Sequence, residues 1–154
     1  MASQSHVHML LQGAPTWNQW RAAHPEIRPD LSGAYLTGVD LTKADLTKAD
    51  LRGADLTQAS LYAADLTEAD LEEADLEEAD LTRATLIKAD LTGAEFNEAD
   101  LSGVNLTKAN LTNAVLRGAK LVKADLSEAT CIGADLTGAD MTGADTTGAI
   151  FELP

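Results

Sequence analysis

Three histidines, one cysteine and 25 carboxylates are the side chains here that could bind a metal, carry out redox chemistry or move a proton, and their spacing limits each. His6 and His8 form a His-x-His pair near the N-terminus, but a zinc site needs two further ligands at set distances and the sequence offers none beside them. His24 stands alone before Pro25. Cys131 is the single cysteine, so no internal disulfide forms, and its position in the pattern described below predicts a small buried hydrophobe. No glycine-rich phosphate loop is present, and no nucleophile stands in a recognisable relation to a base. The expectation is a chain with no catalytic, cofactor or metal site, and not an enzyme. Asn105-Leu106-Thr107 and Asn110-Leu111-Thr112 match the glycosylation acceptor pattern, yet a repeat generates both and no secretion signal accompanies them.

The carboxylates are the informative group. All fifteen aspartates fall at one phase of a five-residue unit that runs 25 times without insertion from Leu31 to Phe151. The unit reads Ala-Asp-Leu-x-x, as in Ala54-Asp55-Leu56-Thr57-Gln58; with the leucine as position i, alanine stands at i−2 and aspartate at i−1. Leucine fills twenty of the 25 i positions and alanine 22 of the i−2 positions, which leaves Phe96, Cys131, Met141, Thr146 and Phe151 as the exceptions at i. A strand repeats its inward side chain every two residues and a helix every 3.6, so a strict five demands a turn in every unit. One short extended side per unit closes a square coil after four units, so the same side recurs twenty residues on. A unit this short cannot bury its own leucine and must stack, which is the logic of a solenoid. Coils spaced about 4.8 Å apart would give a rod of roughly 30 Å from about six coils. Asp and Asn at i−1 accept hydrogen bonds from nearby backbone N–H groups, which predicts a turn-building role for the fifteen aspartates, Asn105 and Asn110. Glycine at i+2, as in Gly33, Gly53 and Gly93, suits a positive φ; lysine, glutamate and arginine at the same phase imply that positive φ is not required everywhere.

The A(D/N)LXX pattern of Ala44-Asp45-Leu46 and Ala109-Asn110-Leu111, with its valine variant Val104-Asn105-Leu106, resembles the pentapeptide-repeat family over residues 29–153. The resemblance implies an all-β solenoid, a right-handed quadrilateral β-helix. Residues 1–28 break the period and read as a short N-terminal α-helical cap, leaving 29–154 as the β-helix. Ser5 is expected to cap a helix whose Val7, Leu10 and Leu11 share a face and which Gly13 ends. Thr16 and Gln19 have capping-box spacing for a second helix that carries Trp17 and Trp20 on one face and stops at Pro25. This apolar face is expected to cover Leu31 and Leu36. The Trp-x-x-Trp-Arg stretch leading into Arg28-Pro29-Asp30-Leu31 also resembles leaders of cyanobacterial relatives. At the other end the i positions loosen through Cys131, Met141 and Thr146; either Phe151 and Leu153 fold across the opening, or it meets a second molecule.

The formal net charge is −14. Folded at twenty-residue spacing, the units starting at Leu31, Leu36, Leu41 and Leu46 define sides one to four, which carry −5, −6, 0 and −3 over residues 29–148. Glu72, Glu73, Glu77 and Glu78, with Glu95 and Glu98 on the next coil, concentrate the charge that is not turn-building aspartate. Such a field steers basic partners and repels nucleic acid. These six glutamates are the candidate protein-binding residues of a non-enzymatic interaction or scaffold module with an unidentified protein partner. No apolar run reaches membrane-spanning length and no signal segment is evident, so the expected setting is the cytoplasm, as a monomer or a C-terminal end-to-end dimer. The resemblance implies an alternative: some relatives are acidic rods that mimic DNA and bind type II topoisomerases such as gyrase.

Overall fold

The computed structural model describes residues 1–152. From Asp30 to Ile150 each i−1 residue pairs in parallel with the i−1 residue twenty positions on, the first pair being Asp30 with Asp50 and the last Thr130 with Ile150. The coil is therefore four-sided. Its i side chains from Leu31 to Cys131 are at most 3% exposed, and its i−2 side chains from Ala44 to Ala129 at most 1%. The rod's interior is a leucine stack with alanine filling the corners, and Phe96 takes a leucine's place in it.

All five N–H groups of a standard unit have partners, which is why so short a repeat holds its shape. Ala54 N–H donates to the Leu51 carbonyl (3.0 Å) and closes a turn. Asp55 N–H reaches back to Ala34 of the preceding coil (2.9 Å), while Leu56 and Gln58 N–H reach forward to Asp75 (2.7 Å) and Glu77 (2.9 Å). Thr57 N–H donates to Oδ1 of Asp55 (3.0 Å). The side chain at i−1 thus supplies the one acceptor that the backbone does not.

Every i+2 residue from Gly33 to Gly148 has φ between 54° and 74°, and fourteen of these 24 are not glycine. This overturns the expectation that lysine, glutamate and arginine mark corners without positive φ. The turn closed by the bond from i+3 N–H to i C=O has its third residue at i+2, and a type II turn requires φ above zero there. Lattice bonds on both sides hold the corner, so long side chains tolerate a local cost of about 1 kcal/mol each. Ala63, at φ 54°, carries that cost with only a methyl group beyond the backbone. Ala63→Gly is therefore expected to stabilise the rod by about 0.5 kcal/mol after glycine's larger unfolded-state entropy is deducted, read as a higher urea midpoint at unchanged slope.

The leader forms two helices, α1 (Gln4–Leu10) and α2 (Ala14–Ala23). Their caps differ from expectation. Ser3, not Ser5, caps α1 through its Oγ and the His6 N–H, because Ser3 N–H is itself anchored on the Asp30 carbonyl at 3.0 Å. Gly13, at φ 106°, is the N-cap of α2 rather than the end of α1, so Thr16 lies inside α2 and makes no capping box with Gln19. The helix ends at Ala23, with His24 before Pro25 as its C-cap. Leu10 and Trp17 are fully buried in the same core as Leu31 and Leu36, whereas Leu11 is 52% exposed and does not share that face.

At the far end Phe151 is 38% exposed, and Leu153 lies outside the described residues. Among the described residues no coil stacks on the last one, and Leu136 and Met141 are only partly buried.

Candidate functional site

What the lattice leaves free decides where function can sit. All fifteen aspartates, with Asn105 and Asn110, accept the N–H of the residue two positions on. Threonine or serine at i+1 commonly adds its hydroxyl to the same oxygen, as Thr67 does on Asp65 at 2.6 Å. These carboxylates are turn-builders and are spent on their own chain.

The same bonds hold their acidity down. Hydrogen bonds from Thr142, Thr147 and Ser127 keep Asp140, Asp145 and Asp125 below the usual carboxylate range, and the Thr137 hydroxyl, helped by Arg117 at 2.6 Å, draws Asp135 to about 2. The Arg52 guanidinium lowers Asp50 in the same way. A carboxyl whose folded pKa is depressed contributes stability that is present above its unfolded value of 3.8 and is lost as pH falls through the folded value. The thermal midpoint should accordingly show no loss of the carboxylate contribution down to about pH 4, then fall steeply toward pH 2, as followed by circular dichroism. Loss of stability already complete at pH 4 would contradict the turn-building role.

The six candidate glutamates behave differently. Glu72 and Glu73 stand on side one and Glu77 and Glu78 on side two of the same coil, while Glu95 and Glu98 extend side two by one coil, with Glu95 paired above Asp75. Gly93 and Gly118, one coil further on, leave room for two of them: a Cβ at Gly93 would lie 3.6 Å from Glu73 Cγ, and one at Gly118 would lie 3.1 Å from Glu98 Oε1. Glu78 accepts the Gln58 amide at 2.8 Å. Among the described residues none of the six joins an ion pair, whereas side four pairs Lys48 with Glu68 (3.9 Å) and Lys108 with Glu128 (3.6 Å) along its corner column. The structure thus gathers the sequence-derived glutamates into one patch across two sides that forms no salt bridge among the described residues, although Arg52, one coil before Glu72 in the same column, lies near enough to feel its charge.

Other candidates resolve into structural roles. His6 Nδ1 accepts the Asp30 N–H at 3.0 Å and its ring lies 5.1 Å from that of Trp20; His24 stacks on Trp20 at 5.4 Å. Burial pushes the Cys131 thiol up to about 11. Among the described residues no three His, Cys, Asp or Glu side chains converge on a common point, and no helix is long and apolar enough to cross a membrane. Sequence reasoning missed the polar seal of the leader: Asn18 bonds both Asp45 N–H (2.8 Å) and the Lys43 carbonyl (3.0 Å), and Arg21 bonds the carbonyls of Ile27 (2.7 Å) and Thr47 (3.0 Å). The available signal was a polar residue beside each tryptophan, Asn18 after Trp17 and Arg21 after Trp20, on a helix whose partner presents bare carbonyls.

Comparison with known proteins places this geometry. No curated protein matches the chain in sequence. Among solved structures, the pentapeptide repeat protein Rfr23 of the cyanobacterium Cyanothece 51142 is 30% identical over 78% of this chain and 89% of its own, with a TM-score of 0.56. QnrB1, a plasmid-mediated fluoroquinolone resistance protein, is 25% identical over 75% of this chain, which spans 60% of QnrB1, with a TM-score of 0.49. A pentapeptide repeat protein of the Arabidopsis thaliana thylakoid lumen is 34% identical, with 75% and 63% coverage and a TM-score of 0.34. The fold is the right-handed quadrilateral β-helix, here of about six coils with a short N-terminal helical cap. Pentapeptide repeats match the sequence in eight copies over residues 28–62, 59–97, 94–130 and 116–152, and the chain belongs to the pentapeptide-repeat family.

Proposed function

We propose that the chain is a non-enzymatic protein-interaction or scaffold module, with residues 1–28 as cap and 29–154 as the module, working in the cytoplasm as a monomer or a C-terminal end-to-end dimer. Members of this family are in general structural or interaction modules. The observation that carries the reading is the patch of Glu72, Glu73, Glu77, Glu78, Glu95 and Glu98, which has no ion-pair partner among the described residues on a rod whose aspartates are consumed by turns. A rigid acidic surface of this kind captures a basic protein face and adds mainly to association rate and selectivity.

The inventory at the rod's end bears on the dimer. On sides two to four the last coil turns toward a following coil six N–H groups, those of Leu136, Gly138, Met141, Gly143, Thr146 and Gly148, but only three carbonyls, those of Ala134, Ala139 and Ala144, these being the groups that the earlier coils use in stacking. Two such ends brought together set donors against donors, so an end-to-end dimer here joins through Leu136, Met141 and Phe151 rather than by strand pairing.

The test is a pull-down from the native host with the intact chain and with a variant in which Glu72, Glu73, Glu77 and Glu78 are changed to lysine. Specific capture by the first and at least tenfold less by the second is expected; equal capture refutes the acidic patch. The DNA-mimic reading is favoured by sides one and two, which together carry −11, and opposed by Lys43, Arg83 and Lys123 on side three and Lys48, Lys88 and Lys108 on side four. A mimic of duplex DNA should present a continuous track approaching one charge per about 1.7 Å of axis. No inhibition of purified gyrase is expected in a supercoiling assay, and strong inhibition abolished by the same lysine variant would promote the alternative.

A further inference from the structure

The leader replaces a missing coil on only half of the first coil. Each side of that coil presents one N–H and two carbonyls that a preceding coil would have met, so the edge carries an excess of acceptors. On side one, Asp30 N–H finds His6 and its carbonyl accepts Ser3 N–H. Side four is met in full: Asp45 N–H by Asn18, the Asp45 carbonyl by Trp17 Nε1 at 2.7 Å, and the Thr47 carbonyl by Arg21. On sides two and three, the N–H groups of Tyr35 and Asp40 and the carbonyls of Tyr35, Thr37, Asp40 and Thr42 have no partner among the described residues. A groove flanks each bare side. One, of about 370 Å³, runs along the α1–α2 turn and is lined by Leu10, Leu11, Pro15, Val39 and Asp40; the other, of about 210 Å³, lies between Val7 and Tyr35. Tyr35 is 86% exposed and Leu11 52%.

We propose that sides two and three of the first coil form a docking edge for an extended, arginine-bearing segment of another protein. The proposal rests on the interaction-module reading and gives that module a second surface, distinct from the glutamates. Three observations choose the occupant. The bare edge has four carbonyls to two N–H groups, so its complement must bring more donors than a plain strand supplies, and arginine's planar fork is the densest donor among side chains. The chain solves the identical problem on side four with an arginine, since Arg21 Nη2 donates to the Thr47 carbonyl there. The net charge of −14 favours a cationic visitor and disfavours a second copy of this acidic rod. The segment follows the edge around the corner at Gly38, taking the Tyr35 and Asp40 N–H groups on its carbonyls, while an apolar side chain between arginines enters the groove beside Leu11 and Val39.

The experiment titrates the isotopically labelled full chain with the acetylated, amidated peptide Arg-Val-Arg-Val-Arg. Saturable shifts are expected at the Tyr35 and Asp40 amides, with at least tenfold slower hydrogen exchange at both. Leu11→Ser, an exposed substitution, should weaken binding at least fivefold, and so should lysine in place of every arginine in the peptide. The Glu72, Glu73, Glu77 and Glu78 quadruple glutamine variant should bind the peptide as before at about 0.15 M salt, where the Debye length is about 8 Å. Absence of saturable binding overturns the docking edge. Shifts confined to the glutamate patch also overturn it, and in that case the acidic interaction surface survives. Edge binding together with equal host capture by the lysine variant would sink the glutamate patch and leave the edge standing.

Discussion

Replacing Leu76 by lysine should unfold or split the rod, whereas the same lysine at Thr57 should be tolerated. Leu76 is fully buried in the middle of the leucine stack, with Leu56 and Phe96 at the same phase one coil to either side. A lysine ammonium at that depth has no carboxylate or carbonyl within the leucine column to pair with, since the backbone carbonyls are already engaged between coils. Burying it unpaired, together with losing the leucine's own burial, costs on the order of 5 kcal/mol, comparable to the whole stability of a domain this size. Thr57 stands two positions from an aspartate on the outer surface, where its N–H bond to Asp55 is a backbone contact that lysine preserves. Arg52 already shows how a cation is received there, with Nη2 on Asp50 at 2.6 Å. Thr57→Lys forfeits at most a hydroxyl bond, about 1 kcal/mol. Thermal melts of the two variants decide the matter, and similar midpoints would overturn the inward and outward assignment of the repeat.

The repeat was legible because its signal is redundant: a phase error at any of the i positions from Leu31 to Leu126 would place a leucine or Phe96 in water, so these 20 units agree on one cross-section. The aspartate role was legible for a related reason, since a short acceptor at a fixed phase has one local donor within reach. Corner conformation was not. A lysine or glutamate at i+2 has the same backbone as the glycine it replaces, and which φ it takes is imposed by bonds to residues nineteen positions further along, as when Lys43 N–H reaches Tyr62. The helix caps failed in the same way, because Ser3 outcompetes Ser5 through an anchor on Asp30 that sequence proximity does not reveal. The glutamate cluster could be placed on sides one and two by counting, yet its lack of partners emerged only once Lys48 and Lys108 were seen to pair within their own column.

Deleting residues 1–28 should turn a stable monodisperse rod into an associating one. The deletion removes Leu10 and Trp17, both fully buried against the first coil, and so exposes the ends of Leu31, Leu36, Leu41 and Leu46 together as one apolar disc. It also strips the edge of Trp17 Nε1, Asn18, Arg21 and His6, leaving strand groups open on all four sides where side four is now met in full and side one in part. An uncovered apolar disc rimmed by unpaired strand groups is what edge-to-edge aggregation requires, and two α-helices standing over that disc are what block it in the intact chain. Light scattering should report association at micromolar concentration, and the thermal midpoint should fall. Asn18→Ala separates the contributions: it keeps the apolar plug and removes two bonds to Asp45 and Lys43, so it should cost about 1–2 kcal/mol without association. A truncated chain that stays monomeric and equally stable would show that the tryptophan face is not a seal, and would return Trp17 and Trp20 to the surface as a candidate binding face of their own.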